Sequence, residues 1–130
     1  METILLVQFI SGLLGFLAIL IGAFGAHRLR KHFDLQQQMQ FDTGVKFQLF
    51  HAILLVVLGF NLGFTTSFES YMAYAFILGT VLFSFSIYGL TWTSAKGKKA
   101  KWLVPLTPVG GLLLLTGWAM LIYYSVAFIL

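Results

Sequence analysis

Residues 3–26 read TILLVQFISGLLGFLAILIGAFGA, and His27, Arg28, Arg30 and Lys31 follow closely. No charged side chain interrupts the stretch. A helix rises 1.5 Å per residue, so about 20 apolar residues cross the ~30 Å of hydrocarbon in a bilayer. Three further stretches are also long and uncharged: Phe47–Phe68, Ser70–Ala95 and Trp102–Leu130. Backbone groups in lipid must satisfy one another, which makes helices the expected form. Membrane strands would show ~10-residue alternating segments, and these runs do not alternate. The reading is an all-α membrane protein: four transmembrane helices in an antiparallel bundle, spanning about 3–26, 45–66, 71–93 and 102–127 of one domain, 1–130.

Composition agrees. Hydrophobic residues are 59% of the chain and charged residues 9%, whereas soluble domains average about 25% charged. A soluble fold of this size could not hide so much apolar surface. With no cysteine, disulfides, thiolate metal sites and thiol nucleophiles are excluded together. The net charge of +4 does not point to nucleic acid, because the charges sit in two short clusters beside the apolar runs.

Those clusters set an expected orientation. Arg28, Arg30, Lys31 and Lys46 lie between the first two runs, and Lys96, Lys98, Lys99 and Lys101 between the last two. The middle connection holds only Glu69, and neither terminus carries a basic side chain. Four crossings place both basic connections on one side. The positive-inside rule makes that side cytoplasmic, with both termini outside and the chain in the plasma membrane. The first run reads as a retained helix rather than a signal peptide. Its start, Met-Glu-Thr, has no basic region, and the run exceeds the usual 7–15 residues.

Local signals refine the connections. Asp34 with Gln37 three residues later forms a capping-box pattern, and Asp42 with Lys46 is spaced for a helical ion pair. An interfacial helical segment is expected over about 35–44, running into the second span. Gly97 predicts a tight turn among the lysines, which face solvent and anionic headgroups. Trp92 and Trp102 at one end, and Tyr71, Tyr74, Tyr123 and Tyr124 at the other, suit the headgroup level. Pro105 and Pro108 are expected to bend or delay the start of the fourth helix.

Small residues mark helix contacts. Ser11, Gly15, Ala18, Gly22 and Gly25 recur at spacings of four and three, as do Ala52, Val56, Gly59 and Gly63. The last run carries Gly110, Gly111 and Gly117. Such stripes let helices approach closely within the bundle, and they also suit contact between copies in a homo-oligomer.

Polar residues converge in the cytoplasmic half. His27 lies at the boundary, Gln48 and His51 lie ~5 and ~9 Å inside, Tyr88 and Ser84 ~8 and ~14 Å, and Thr107 ~8 Å. All four helices thus bring a hydrogen-bonding group to a similar depth. Either these groups bond one another and fix the bundle, or they line a site for a small solute or lipid. No acidic or basic side chain lies deep in a span, so coupled proton or cation transport has no visible carrier. Ser84 and Ser86 beside His51 lack a nucleophile motif and an orienting acid. His27 and His51 as paired haem ligands would need facing positions. No cofactor, metal or catalytic residue is assigned, and a non-enzymatic interaction or assembly protein is the first reading.

The same residues resemble a known family. They are Gly22-Ala23-Phe24-Gly25-Ala26-His27, then Gly44, Gln48, Phe50 and His51, then Gly79 to Ser84 with Ser86-Ile87-Tyr88, then Thr107-Pro108-Val109-Gly110-Gly111, then Gly117-Trp118. In this order and spacing the chain is similar over nearly its whole length to the small YgdD/YwdK-type membrane proteins, a domain of unknown function. One departure is Phe85, where the family pattern places glycine. The resemblance implies a four-span membrane protein, mostly bacterial with eukaryotic relatives, and it implies no established activity.

Overall fold

The computed structural model describes residues 1–129. Leu130, the last residue of the fourth apolar run, lies outside the described residues. The described chain is helical without strands: α1 (Glu2–Phe24), α2 (Leu35–Asn61), α3 (Ser67–Thr80), α4 (Ser86–Ala95) and α5 (Leu106–Ile129). A π turn, Val81–Phe85, joins α3 to α4 in one continuous rod. Four helical stretches, Glu2–His32, Leu35–Asn61, Ser67–Ala95 and Lys101–Ala127, are long and apolar enough to cross a bilayer.

The outer surface matches lipid rather than water. Phe9, Phe16 and Phe60 are each about two-thirds exposed, while Ser11, Gln48, Thr80, Ser84 and Thr91 are buried. In water that arrangement would expose a large apolar face. In lipid it satisfies the polar groups internally. The core joins Val7 and Leu14 of α1, Ala52 and Leu55 of α2, Met72 and Phe76 of α3, and Leu114 of α5. α1 packs along α2, α2 packs on the third span, and α5 packs on α3 and the π turn.

Both basic connections come to one end of the bundle. Gln37 Nε2 there donates to Ser94 Oγ at 3.1 Å, tying the start of α2 to the end of α4. The capping box forms as expected: Gln37 N–H donates to Asp34 Oδ1 at 2.7 Å and Asp34 N–H to Gln37 Oε1 at 3.0 Å. From that cap α2 runs unbroken to Asn61. The lysine turn is a Schellman motif, with Lys98 N–H donating to Thr93 O at 2.9 Å and Gly97 N–H to Ser94 O at 3.0 Å. Gly97 there has φ of 73°, where a side chain would be strained.

Two helix ends differ from the apolar runs. α2 stops at Asn61 although the run continues to Phe68, because Thr66 caps α3 and the chain must reverse before it. Glu69 N–H donates to Thr66 Oγ1 at 3.4 Å, and Thr65 N–H donates to the Glu69 carboxylate at 3.2 Å. Gly63 therefore does not extend the small-residue stripe of α2: it lies exposed in the turn. At the other end a short 3-10 turn, Lys101–Leu103, precedes the prolines, and α5 begins only at Leu106.

Of the other stripe residues, Val56 on α2 is exposed, while most of the rest lie at helix contacts. Ser11, Ala18, Gly25, Gly59 and Gly110 are buried, and Gly15, Gly22 and Gly111 are half-buried. A Cβ at Gly22 would meet Val45 at 3.1 Å, and one at Gly25 would overlap the Phe41 ring. Where α5 crosses the third span, a Cβ at Gly110 would overlap the Phe83 backbone in the π turn, and one at Gly79 would meet the Leu114 nitrogen at 2.9 Å.

Candidate functional site

Gln48 is fully buried on α2 and uses both ends of its amide. Nε2 donates to Leu14 O of α1 at 2.8 Å, and Oε1 accepts from the Tyr88 hydroxyl of α4 at 2.6 Å. One side chain thereby joins three helices. Gly44, one turn earlier, leaves room for the Tyr88 ring, which a Cβ there would meet at 2.7 Å. The Gly44 carbonyl also accepts from Ser84 Oγ at 2.8 Å.

His51 lies one turn further along and is also buried. Its Nε2 faces Trp118 Nε1 of α5 at 3.1 Å, and its Nδ1 faces Phe47 O at 2.7 Å. An indole nitrogen can only donate. Nε2 must therefore accept, which leaves the proton on Nδ1 to be donated to Phe47 O. This is the neutral ring with both nitrogens engaged. The imidazole is packed among Phe47, Phe76 and Trp118, with ring centroids 6.0 Å away in each case.

Ser84 and Ser86 are two residues apart, roughly 200° around a helix, and they face different neighbours. Ser84 reaches α2. Ser86 Oγ donates to Phe83 O at 3.0 Å and lies 2.6 Å from Thr107 Oγ1, so the Thr107 hydroxyl donates to it.

The six candidate residues thus form separate local pairings rather than one site. Gln48 and Tyr88 bond directly, with Ser84 one turn away on the carbonyl of Gly44. His51 pairs with Trp118, and Thr107 with Ser86. His27 is exposed in the π turn Gly25–Leu29 after α1, apart from the other five. A cleft of about 570 Å³ takes only Tyr88 of the six into its wall. Another of about 480 Å³ takes only Thr107. Among the described residues no buried side-chain nitrogen or oxygen lacks a hydrogen-bond partner.

Sequence reasoning missed Trp118 as the partner of His51. The signal was its place near the middle of a long apolar run, far from the headgroup level where tryptophan usually sits; an indole N–H at that depth, away from water, requires an acceptor. It also missed a polar pair at the opposite end. Glu69 is buried there, and its carboxylate accepts from Tyr124 at 3.3 Å. Nearby, Gln8 Nε2 donates to Gly59 O at 3.1 Å.

The family model described as "Protein of unknown function (DUF423)" matches residues 21–111, which hold all six candidates. The inner membrane protein YgdD of Escherichia coli is 36% identical over 109 residues, covering 83% of this chain and 79% of its own. A UPF0382 membrane protein of Haemophilus influenzae is 32% identical over 111 residues, covering 85% of this chain and 86% of its own. Another from Schizosaccharomyces pombe is 32% identical over 111 residues, covering 85% and 92%. No solved structure matches. With a family model over most of its length and relatives this similar across bacteria and yeast, the chain belongs to the UPF0382 (DUF423) family of membrane proteins of unknown function.

Proposed function

We propose that this chain is a non-enzymatic membrane protein whose buried polar residues hold the bundle together, and whose role is interaction or assembly within the membrane. The observation that carries this reading is the closure of Gln48 and His51. Every polar atom of both side chains has a partner inside the protein. A ligand site needs a group that points into space, and a haem or metal site needs a free imidazole lone pair. The His51 lone pair is occupied by Trp118. Binding or transport of a small solute through the polar cluster would further require a shared cavity, and the clefts that reach Tyr88 and Thr107 each take in only one of the six residues. In this reading the basic connections are cytoplasmic and both termini are outside.

The test is native mass spectrometry of the protein released gently from its own membrane, beside His51→Phe. The expected result is that any bound mass, and the subunit count, are the same in both. An extra mass on the unaltered protein that disappears in a folded His51→Phe variant would overturn the structural reading in favour of a ligand at the cluster.

A further inference from the structure

The cleft of about 570 Å³ borders Tyr88 and none of the other five candidate residues. α1 and α4 both pack on α2 and form its two walls, with Leu20 and Phe24 on one side and, on the other, Trp92 of α4 and Phe85 at the end of the π turn before it. Buried Phe41 of α2 lies at its floor. Leu29 and Phe33, carried across by the π turn and the 3-10 turn after it, line the end nearest the basic connections. The lining is almost wholly apolar: besides the Trp92 indole its one side chain with a polar group is Tyr88, which gives its hydroxyl proton to Gln48. At about 570 Å³ the cleft falls within the ~300–1,000 Å³ of small-molecule sites.

Its mouth carries positive charge. Trp92 is shared with a second hollow of about 220 Å³, lined by His32, Ala95 and Lys96. The Lys96 ammonium sits 4.5 Å from the Trp92 ring centroid, within cation–π range. From Trp92 to Phe85 the wall descends seven residues of helix, ~10 Å toward the middle of the bilayer. This is the direction an acyl chain takes below its headgroup.

We infer that the cleft between α1 and α4 holds one acyl chain of an anionic glycerophospholipid whose phosphate lies against Lys96 and His32. Charge complementarity selects the occupant. A cationic rim above an apolar slot suits a headgroup of net negative charge more than a zwitterionic one, whose own cation offsets its phosphate, or a second protein helix. The inference goes beyond the structural role of the polar cluster and takes from it only the Tyr88–Gln48 bond.

The test is native mass spectrometry of the full chain in detergent with equal amounts of palmitoyl-oleoyl phosphatidylglycerol and the matching phosphatidylcholine. One phosphatidylglycerol retained per chain is expected, and it persists in His51→Phe. Leu20→Trp, which fills the slot from a lipid-facing position, abolishes retention. Lys96→Gln lowers the preference for phosphatidylglycerol about fivefold, the effect of one surface cation on an anionic lipid. Equal retention of both headgroups, retention unchanged in Leu20→Trp, or a dimer appearing in place of the lipid-bound chain would overturn the assignment. An independent reading uses brominated chains, which quench a tryptophan they touch. In a Trp102→Phe background, brominated phosphatidylglycerol should quench more than brominated phosphatidylcholine, and the excess should vanish in Trp92→Phe. An excess that survives Trp92→Phe would also overturn it.

Discussion

At the scale of single residues, Gln48 joins α1, α2 and α4, and its stability contribution can be separated into pairs. Hydrogen bonds between membrane helices average about 0.6 kcal/mol, with a maximum near 1.7. Gln48→Leu removes two such bonds and keeps the volume, so a loss of about 1 kcal/mol is expected in a thermal or denaturant titration in detergent. Tyr88→Phe removes one. The double variant should fall short of the sum by about 0.6 kcal/mol, because the Gln48–Tyr88 bond is counted once in each single change. Full additivity would mean that this bond contributes nothing. That these two residues share a level was readable from helix rise alone. Their pairing was not, because depth fixes a level in the membrane and leaves open which face of each helix a side chain occupies. His51 shows the same limit: its level was legible, while its partner, Trp118, comes from a helix 67 residues away in the chain.

Helix ends and helix crossings carry the next level. Asp34 caps α2 through a reciprocal pair of bonds, and Asp34→Ala should cost about 1 kcal/mol. Hydrogen exchange should show the loss as faster exchange confined to residues just after Leu35; uniform acceleration through α2 would argue against a local cap. This start was legible because Asp and Gln at that spacing bind each other's backbone regardless of surroundings. The end of α2 at Asn61 was hidden, since Leu62 and Phe64 continue the apolar composition while Thr66, already committed to capping α3, forces the reversal. The crossing of α5 over the π turn is tighter still. Gly110→Ala would drive a methyl into the Phe83 backbone, and overpacking of this kind costs typically 1–3 kcal/mol. Gly12→Ala meets nothing within 4 Å and should be neutral or stabilising by up to about 1 kcal/mol through helix propensity. If both changes behave alike, the close approach at Gly110 is not what sets the helix spacing.

At the scale of the whole molecule, eight basic residues gather at one end of a bundle that crosses four times. The count of crossings follows from run length, and the clustering of charge from the sequence. The Gln37–Ser94 bond shows both basic connections meeting in space. Which leaflet they face depends on the membrane potential and the insertion machinery acting on Lys and Arg near helix ends. Under the positive-inside rule, a green fluorescent protein fused to the C-terminus should be exported unfolded and stay dark, while alkaline phosphatase there should be active. Lys-to-Gln changes at Lys96, Lys98, Lys99 and Lys101 leave the basic residues of the first connection in place, so the orientation should hold with reduced uniformity. Adding four lysines to the turn between Asn61 and Ser67 in that neutralised chain removes the asymmetry and should give a mixed population with both reporters partly active. A fluorescent C-terminal fusion on the unaltered chain would reverse the orientation, and with it the leaflet that faces Lys96 and the lipid cleft.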